Sequence, residues 1–118
     1  MAERLAYYAD GDTSWRENVA EIGEDCGVRV EGFSQLQDAY EALRLKNASP
    51  EYVLSASFNG EGIKLLQQQM KLNRHVALVS GNPDYCVIAR RSGIETIEKG
   101  DDDSILKFRV LFQYEEEK

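Results

Sequence analysis

Four polar side chains lie where the sequence places the ends of strands, and they are the residues best suited to chemistry. Asp10 and Asp12 follow the first predicted strand, Ser80 ends the fourth, and Lys99 follows the fifth. A pair of carboxylates attracts divalent cations, but two acids without a third anionic ligand make a poor octahedral site for Mg²⁺. The sequence therefore predicts no metal site and no cofactor.

The third predicted strand, residues 52–57, should end beside these four residues, but it contributes no carboxylate. It reads Tyr-Val-Leu-Ser-Ala-Ser, and the nearest acid, Glu61, lies beyond a glycine turn at the start of the next helix. The sequence also has no glycine-rich phosphate loop and no nucleophile beside a base. These features argue against an enzyme.

Composition restricts the function further. The 118 residues are 42% hydrophobic and 30% charged, which predicts a packed core in a single domain spanning 1–118. A net charge of -7 opposes direct binding to nucleic acid, because that affinity depends on Lys and Arg neutralising phosphates. No apolar run approaches the ~18 residues of a membrane span, and no signal peptide is evident. We expect a cytoplasmic protein without membrane contacts, in which Cys26 and Cys86 are buried thiols.

Apolar runs of strand length alternate with helical patterns five times, which indicates a parallel sheet wound with crossover helices. The predicted strands are residues 5–9, 28–33, 52–57, 76–80 and 94–98. The first helix should begin at a Thr13 or Ser14 cap, and the fourth at Pro83 behind an Asn82 cap. The other helices should begin at residues 34–37, after residues 59–62, and at residues 101–104.

Side-chain spacing predicts which helix faces are buried. The first helix places Trp15, Val19, Ile22 and Cys26 on one face. The last helix is expected to bury Ile105, Phe108 and either Leu111 or Phe112. The second strand is the least hydrophobic, which predicts that it lies at a sheet edge.

The order of an acidic pair, a strand, a hydroxyl and a lysine resembles the receiver domains of bacterial response regulators. The matching segments run through the chain, at residues 9–12, 38–43, 61–66, 89–93 and 98–99. This resemblance implies a doubly wound α/β fold, a (βα)5 three-layer sandwich of the flavodoxin-like or CheY-like type. It also implies a five-stranded parallel sheet in the order 2-1-3-4-5.

The resemblance implies a site as well. In receivers the acidic pair binds Mg²⁺, an aspartate ending strand three accepts a phosphoryl group, a Ser or Thr ending strand four follows the phosphate, and a lysine pairs with it. Asp10, Asp12, Ser80 and Lys99 match these positions, although Gly11 leaves open which acid matches which. Ala56 stands where the acceptor is expected, and a methyl group cannot attack phosphorus.

Two further departures lie at the same site. The loop after strand three is shorter than in the family and lacks its Met-Pro, and Gly100 replaces a proline that is typically cis. Together with Ala56, they predict a degenerate receiver, or pseudo-receiver. Structural roles fit the remaining residues too, since the two aspartates can end a strand and cap a helix, Ser80 can satisfy a backbone group, and Lys99 can pair with an aspartate.

Two functions agree with this pattern. The first is a non-catalytic two-component signalling module that contacts other signalling proteins independently of phosphorylation. The alternative is a small-ligand or second-messenger sensor that uses the vacated strand-end pocket or Arg90 and Arg91. An enzyme on the same architecture is the weakest hypothesis.

The predicted interaction face is formed by the fourth helix, the fifth strand and the fifth helix, through which receiver domains commonly dimerise or dock. It carries Tyr85, Arg90 and Arg91 on one side, and Glu98, Asp101, Asp102 and Asp103 on the other. Opposite charges of this kind are self-complementary in a two-fold homodimer. An ordinary solvated surface explains the same residues equally well.

Overall fold

Strands and helices alternate in the computed structural model, which describes residues 4–45 and 49–113. The strands are β1 (Arg4–Ala9), β2 (Val28–Phe33), β3 (Tyr52–Ser55), β4 (His75–Ser80) and β5 (Glu95–Glu98). The helices are α1 (Thr13–Asp25), α2 (Leu36–Leu45), α3 (Glu61–Met70), α4 (Pro83–Arg91) and α5 (Ser104–Phe112). A single 3-10 turn, Phe58–Gly60, separates β3 from α3.

The five strands form one parallel sheet in the order β2-β1-β3-β4-β5, which confirms the predicted fold and the edge position of β2. Ala9 pairs with both Phe33 and Ser55, and Ser80 pairs with Glu98. The carboxyl ends of the strands therefore lie side by side at the same end of the sheet. The chain reverses its winding between β1 and β3, which is where open sheets of this type place their functional groups.

Two layers of buried side chains hold the helices against the sheet. One layer joins the strands to α1 and α5 through residues such as Tyr8, Val19 and Phe108. The other joins them to α2, α3 and α4 through residues such as Ala39 and Leu65. The predicted face of α1 is confirmed, because Val19 and Ile22 are buried while Trp15 and Cys26 pack against the first layer.

The two cysteines are free thiols, with Cys86 buried and Cys26 half-buried. None of the helices within residues 4–45 and 49–113 is long and apolar enough to cross a membrane.

Two predictions at helix starts have different outcomes. Asn82 caps α4 with Pro83 at its first position, as predicted, by accepting a hydrogen bond from the Asp84 backbone N–H. At α1 the prediction of a Thr13 or Ser14 cap is wrong, and the alternative in which an aspartate caps the helix is right: the cap is Asp12, whose Oδ1 accepts from the Trp15 backbone N–H at 3.3 Å. Asp12 has extended backbone angles while Thr13 is already helical, so only Asp12 has the conformation that a cap requires.

The prediction that α5 buries Ile105 is also wrong. Ile105 is 58% exposed, whereas Phe108, Leu111 and Phe112 are buried as expected. Ser104 is the buried residue of the first turn of α5. Because Ile105 follows Ser104 by one residue, it is turned about 100° from that buried side.

Candidate functional site

Tyr8, Asp10, Asp12 and Lys99 meet at the carboxyl ends of the strands and form the strand-end cluster. Asp10 lies at its centre and is only 2% exposed. Its Oδ2 accepts a hydrogen bond from the Tyr8 hydroxyl at 2.5 Å and lies 2.9 Å from Nζ of Lys99. Its Oδ1 accepts from the Asp12 backbone N–H at 3.0 Å. Both oxygens of this buried carboxylate are therefore engaged by groups of the protein.

The backbone around Asp10 is fixed as well. Its N–H donates to the Phe33 carbonyl at 2.9 Å, and its carbonyl oxygen accepts from Nη1 of Arg16 at 2.6 Å. These bonds tie Asp10 to β2 on one side and to α1 on the other. The carboxylate thus projects from a strand end that is hydrogen-bonded on both sides.

The two predicted acids have separate roles. Asp10 is buried and paired with Lys99, whereas Asp12 is exposed and caps α1. The structure therefore supports the interpretation in which Asp12 has a structural role as a helix cap.

Lys99 links β5 to this cluster. Its backbone N–H donates to the Ser80 carbonyl at 3.1 Å, and its ammonium lies 5.4 Å from the centre of the Trp15 ring. The prediction that Lys99 pairs with an aspartate is confirmed, and the partner is Asp10. The described residues contain no cis peptide bond, so the turn at Gly100 differs from the cis-proline turn typical of receivers.

Tyr8 is the member of the cluster that sequence reasoning missed. Burial raises the pKa of its phenol well above the ordinary range, and the neighbouring Asp10 carboxylate raises it further. The hydroxyl therefore remains a donor. Its position two residues before Asp10 is the available signal, because residues i and i+2 of a strand share one face of a sheet.

Ser80 satisfies the turn that follows β4. The residue is buried, and its Oγ accepts from the Asn82 backbone N–H at 3.0 Å. This contact agrees with the structural alternative for Ser80.

Ala56 lies beside Asp10 at the end of β3, and its backbone N–H donates to the Ala9 carbonyl at 2.8 Å. Its own carbonyl accepts from the Ser55 hydroxyl at 2.8 Å. The start of α3 comes so close that a Cβ added to Gly62 would lie 2.0 Å from the Ala56 carbonyl oxygen. The site predicted for an acceptor is thus packed against a helix.

The loop after Ala56 explains why β3 ends at Ser55 and not at residue 57 as predicted. Ser57 is already in the right-handed helical region. Phe58, Asn59 and Gly60 then have φ angles of 46°, 56° and 94°, which turn the chain sharply into α3. Positive φ is costly for a bulky residue such as Phe58.

The residues predicted for the interaction face do not form one exposed patch. Tyr85 is half-buried, and one of its ring carbons lies 3.5 Å from the position of a Cβ built on Gly60. Tyr85 therefore packs toward α3 with part of its side chain, and its place in the interaction face stays a prediction. Arg91, Asp102 and Asp103 are exposed as expected.

Several charges of this face are paired within the molecule. Arg90 binds Glu98 at 3.1 Å, and Lys107 binds Asp101 at 2.9 Å. The Asp103 backbone N–H and the Lys107 ammonium together lower the pKa of Asp101, while the bond to Asp101 raises the pKa of Lys107.

Two clefts lie in the described part of the chain. A cleft of about 240 Å³ opens between α1 and α5 and is lined by residues including Trp15, Lys99 and Phe108. A larger cleft of about 480 Å³ lies at the β2 edge around Gly27 and Val30. Of these two clefts, the smaller contains Lys99 and is therefore the one next to this site.

The chain matches no protein-family model and no curated protein sequence. It does resemble solved structures. A response regulator from Thermotoga maritima has a TM-score of 0.75 and 18% identity, covering 96% of this chain and 100% of that one. A CheY-like receiver domain protein from Methanospirillum hungatei has a TM-score of 0.73 and 20% identity, covering 92% of this chain and 91% of that one.

A third similar structure is that of an atypical orphan response regulator, described as revealing a phosphorylation-independent regulatory mechanism. Its TM-score is 0.74 at 15% identity, and the match covers 92% of each chain. At these identities the likeness shows the fold, which is that of CheY-like receiver domains.

Proposed function

We propose that residues 1–118 form a single pseudo-receiver domain, a non-catalytic cytoplasmic signalling module of the two-component type. It acts through phosphorylation-independent contacts with other signalling proteins. The observation that carries this proposal is Ala56, which stands at the carboxyl end of β3 beside the buried Asp10. A receiver needs a carboxylate nucleophile at that strand end, and Ala56 offers none.

Two other features support the proposal. Lys99, the cation expected to meet a phosphoryl group, is bound to Asp10 at 2.9 Å. The fold is shared with an orphan response regulator whose described mechanism is independent of phosphorylation.

We expect acetyl phosphate with Mg²⁺ to leave the mass of the intact protein unchanged. The physical reason is the absence of a carboxylate in residues 52–60, which include the whole of β3 and the turn after it. Intact-mass spectrometry checks this, with a phosphorylatable receiver domain in the same reaction as the positive control. An acyl-phosphate adduct that maps to a carboxylate near the strand ends, at Asp10, Asp12 or Glu61, would overturn the proposed function.

The working surface is proposed to be the face of α4, β5 and α5, as a contact with a signalling partner or a second copy. Besides the exposed Arg91, the flanking helices carry the apolar side chains Val87, Leu106 and Val110, which are 42%, 59% and 61% exposed. Because Arg90 and Asp101 are already paired within the molecule, apolar contact has a larger part in this proposal than charge complementarity.

Val110→Glu combined with Arg91→Glu is expected to abolish self-association and partner recovery. The first substitution places a carboxylate inside the proposed contact, and the second reverses the charge of an exposed side chain there. Leu72→Glu is the matched control, since Leu72 is 60% exposed in the turn between α3 and β4. Light scattering and recovery of a defined partner are the measurements. If the double variant assembles like the parent while its circular dichroism is unchanged, this face is not the working surface.

The small-ligand sensor remains the second candidate, favoured by the cleft between α1 and α5. Lys99 reaches this cleft beside the Trp15 indole, so it presents a cation next to an aromatic wall. Arg90 supports this candidate less, because it binds Glu98. A thermal-shift screen with nucleotides and second messengers separates the two functions, since only a sensor gains stability from such a ligand.

A further inference from the structure

Phosphorylatable receivers hold a divalent cation on their acidic pair, and the donor set here does not fit one. Mg²⁺ requires near-octahedral oxygen ligands and keeps several of its waters. Asp10 is buried, Asp12 is turned toward the Trp15 N–H as a helix cap, and Ala56 brings no carboxylate. The described residues contain no cluster of three or more His, Cys, Asp or Glu side chains that could hold a metal ion.

The contacts of Asp10 show what replaces the cation. An ionised carboxylate only accepts hydrogen bonds, so it needs donors or positive charge when it is buried. Tyr8 and Lys99 supply a hydroxyl and an ammonium to the same oxygen, Oδ2, and the Asp12 N–H serves Oδ1. The ammonium lies 2.9 Å from this oxygen, where it would repel a second cation.

The donors are held in place by the fold. Tyr8 is fully buried in β1 and belongs to the core layer that includes residues of α1 and α5. Core packing therefore sets the position of its hydroxyl. Lys99 is fixed through its backbone bond to Ser80 and its position over the Trp15 ring. Neither donor depends on a ligand for its position.

We propose that Tyr8 and Lys99 together take the place on Asp10 that a divalent cation occupies in phosphorylatable receivers. The acidic site is thereby closed by the protein's own donors, and the strand ends keep one arrangement whether or not Mg²⁺ is present. This inference rests on the proposed function, since a site that never receives a phosphoryl group has no use for the cation. Tyr8 is a positioning residue in this arrangement.

The test uses Mn²⁺ as the probe and NMR line broadening of backbone amides as the readout, without any phosphodonor. In the parent protein we expect no selective broadening at residues 10–12 and 99. In the double variant Tyr8→Phe with Lys99→Met, Mn²⁺ should bind at residues 10–12 about tenfold more tightly than in the parent protein. The reason is that the ammonium and the hydroxyl that compete for Oδ2 of Asp10 are gone. Adding Asp10→Asn should abolish that binding.

Two controls separate this role from a purely structural one. Loss of a merely structural contact lowers stability without creating a Mn²⁺ site, and Lys99→Arg, which keeps the charge, should exclude Mn²⁺ as the parent does. If the double variant does not fold, Tyr8→Phe alone is used, because it keeps the ring and removes only the hydroxyl; it should show a smaller increase in the same direction.

The proposal is overturned if the parent binds Mn²⁺ at residues 10–12 in a manner that Asp10→Asn removes. It is equally overturned if Tyr8→Phe with Lys99→Met, or Tyr8→Phe where that variant does not fold, excludes Mn²⁺ as well as the parent does. Either result is distinct from a phosphoryl adduct, which would instead overturn the proposed function.

Discussion

Lys99→Met is expected to lower the free energy of unfolding by about 3 kcal/mol, because it leaves a buried carboxylate without its compensating charge. Methionine retains most of the aliphatic length of lysine, so the loss reports on the ammonium more than on packing. Asp10 is 2% exposed, so bulk water can replace little of the lost interaction. Urea denaturation at neutral pH measures the change.

Lys64→Met is the matched control for that measurement. Lys64 pairs with Glu61 at 3.4 Å, but both side chains are more than half exposed on α3. Exposed pairs of this kind contribute little, so the control should change stability by less than about 0.5 kcal/mol. Equal midpoints for the two variants would show that the Asp10–Lys99 pair is solvated and contributes no more than a surface pair.

Gly62→Ala is expected to destabilise the fold by about 1 to 3 kcal/mol, the usual cost of forcing extra volume into a packed site. The new Cβ would lie 2.0 Å from the Ala56 carbonyl oxygen and 2.7 Å from the Ser55 hydroxyl oxygen. The first of these atoms is backbone, so either α3 or the strand end must move. Chemical denaturation and amide chemical shifts at residues 55–57 measure both effects.

The sign of this change is informative. Glycine to alanine within a helix normally stabilises by roughly 0.5 to 1 kcal/mol, so a loss at Gly62 must come from the contact with Ala56. Gly100→Ala is the control, because an added Cβ there meets nothing within 4 Å and the residue does not have positive φ. A gain in stability for Gly62→Ala would show that α3 does not approach the strand end this closely.

Much of the fold could be predicted because hydrophobic periodicity is a local signal. The strands, the buried face of α1 and the edge position of β2 all follow from alternation and spacing within a few residues. The strand order came from a resemblance that runs through the chain. Ile105 was misjudged because spacing alone does not show which flank of a short apolar helix faces the core.

The candidate site could be predicted only in part. Charge and position were enough to anticipate that Lys99 pairs with an aspartate. The sequence could not show that Asp10 is buried while Asp12 is an exposed cap, because that depends on where α1 begins. The role of Tyr8 was hidden for another reason, since a tyrosine in an apolar strand is indistinguishable from a packing residue until its hydroxyl has a partner.

The turn from β3 to α3 has a consequence for what a single substitution at the end of β3 could achieve. Phe58, Asn59 and Gly60 all have positive φ, and they lead α3 directly against the Ala56 carbonyl. A carboxylate introduced at residue 56 would meet an Asp10 whose oxygens are already bound and a lysine that is already neutralised. Phosphotransfer at this strand end would require changes in β1, in β3 and in this turn together, so Ala56→Asp alone is not expected to make the protein accept a phosphoryl group.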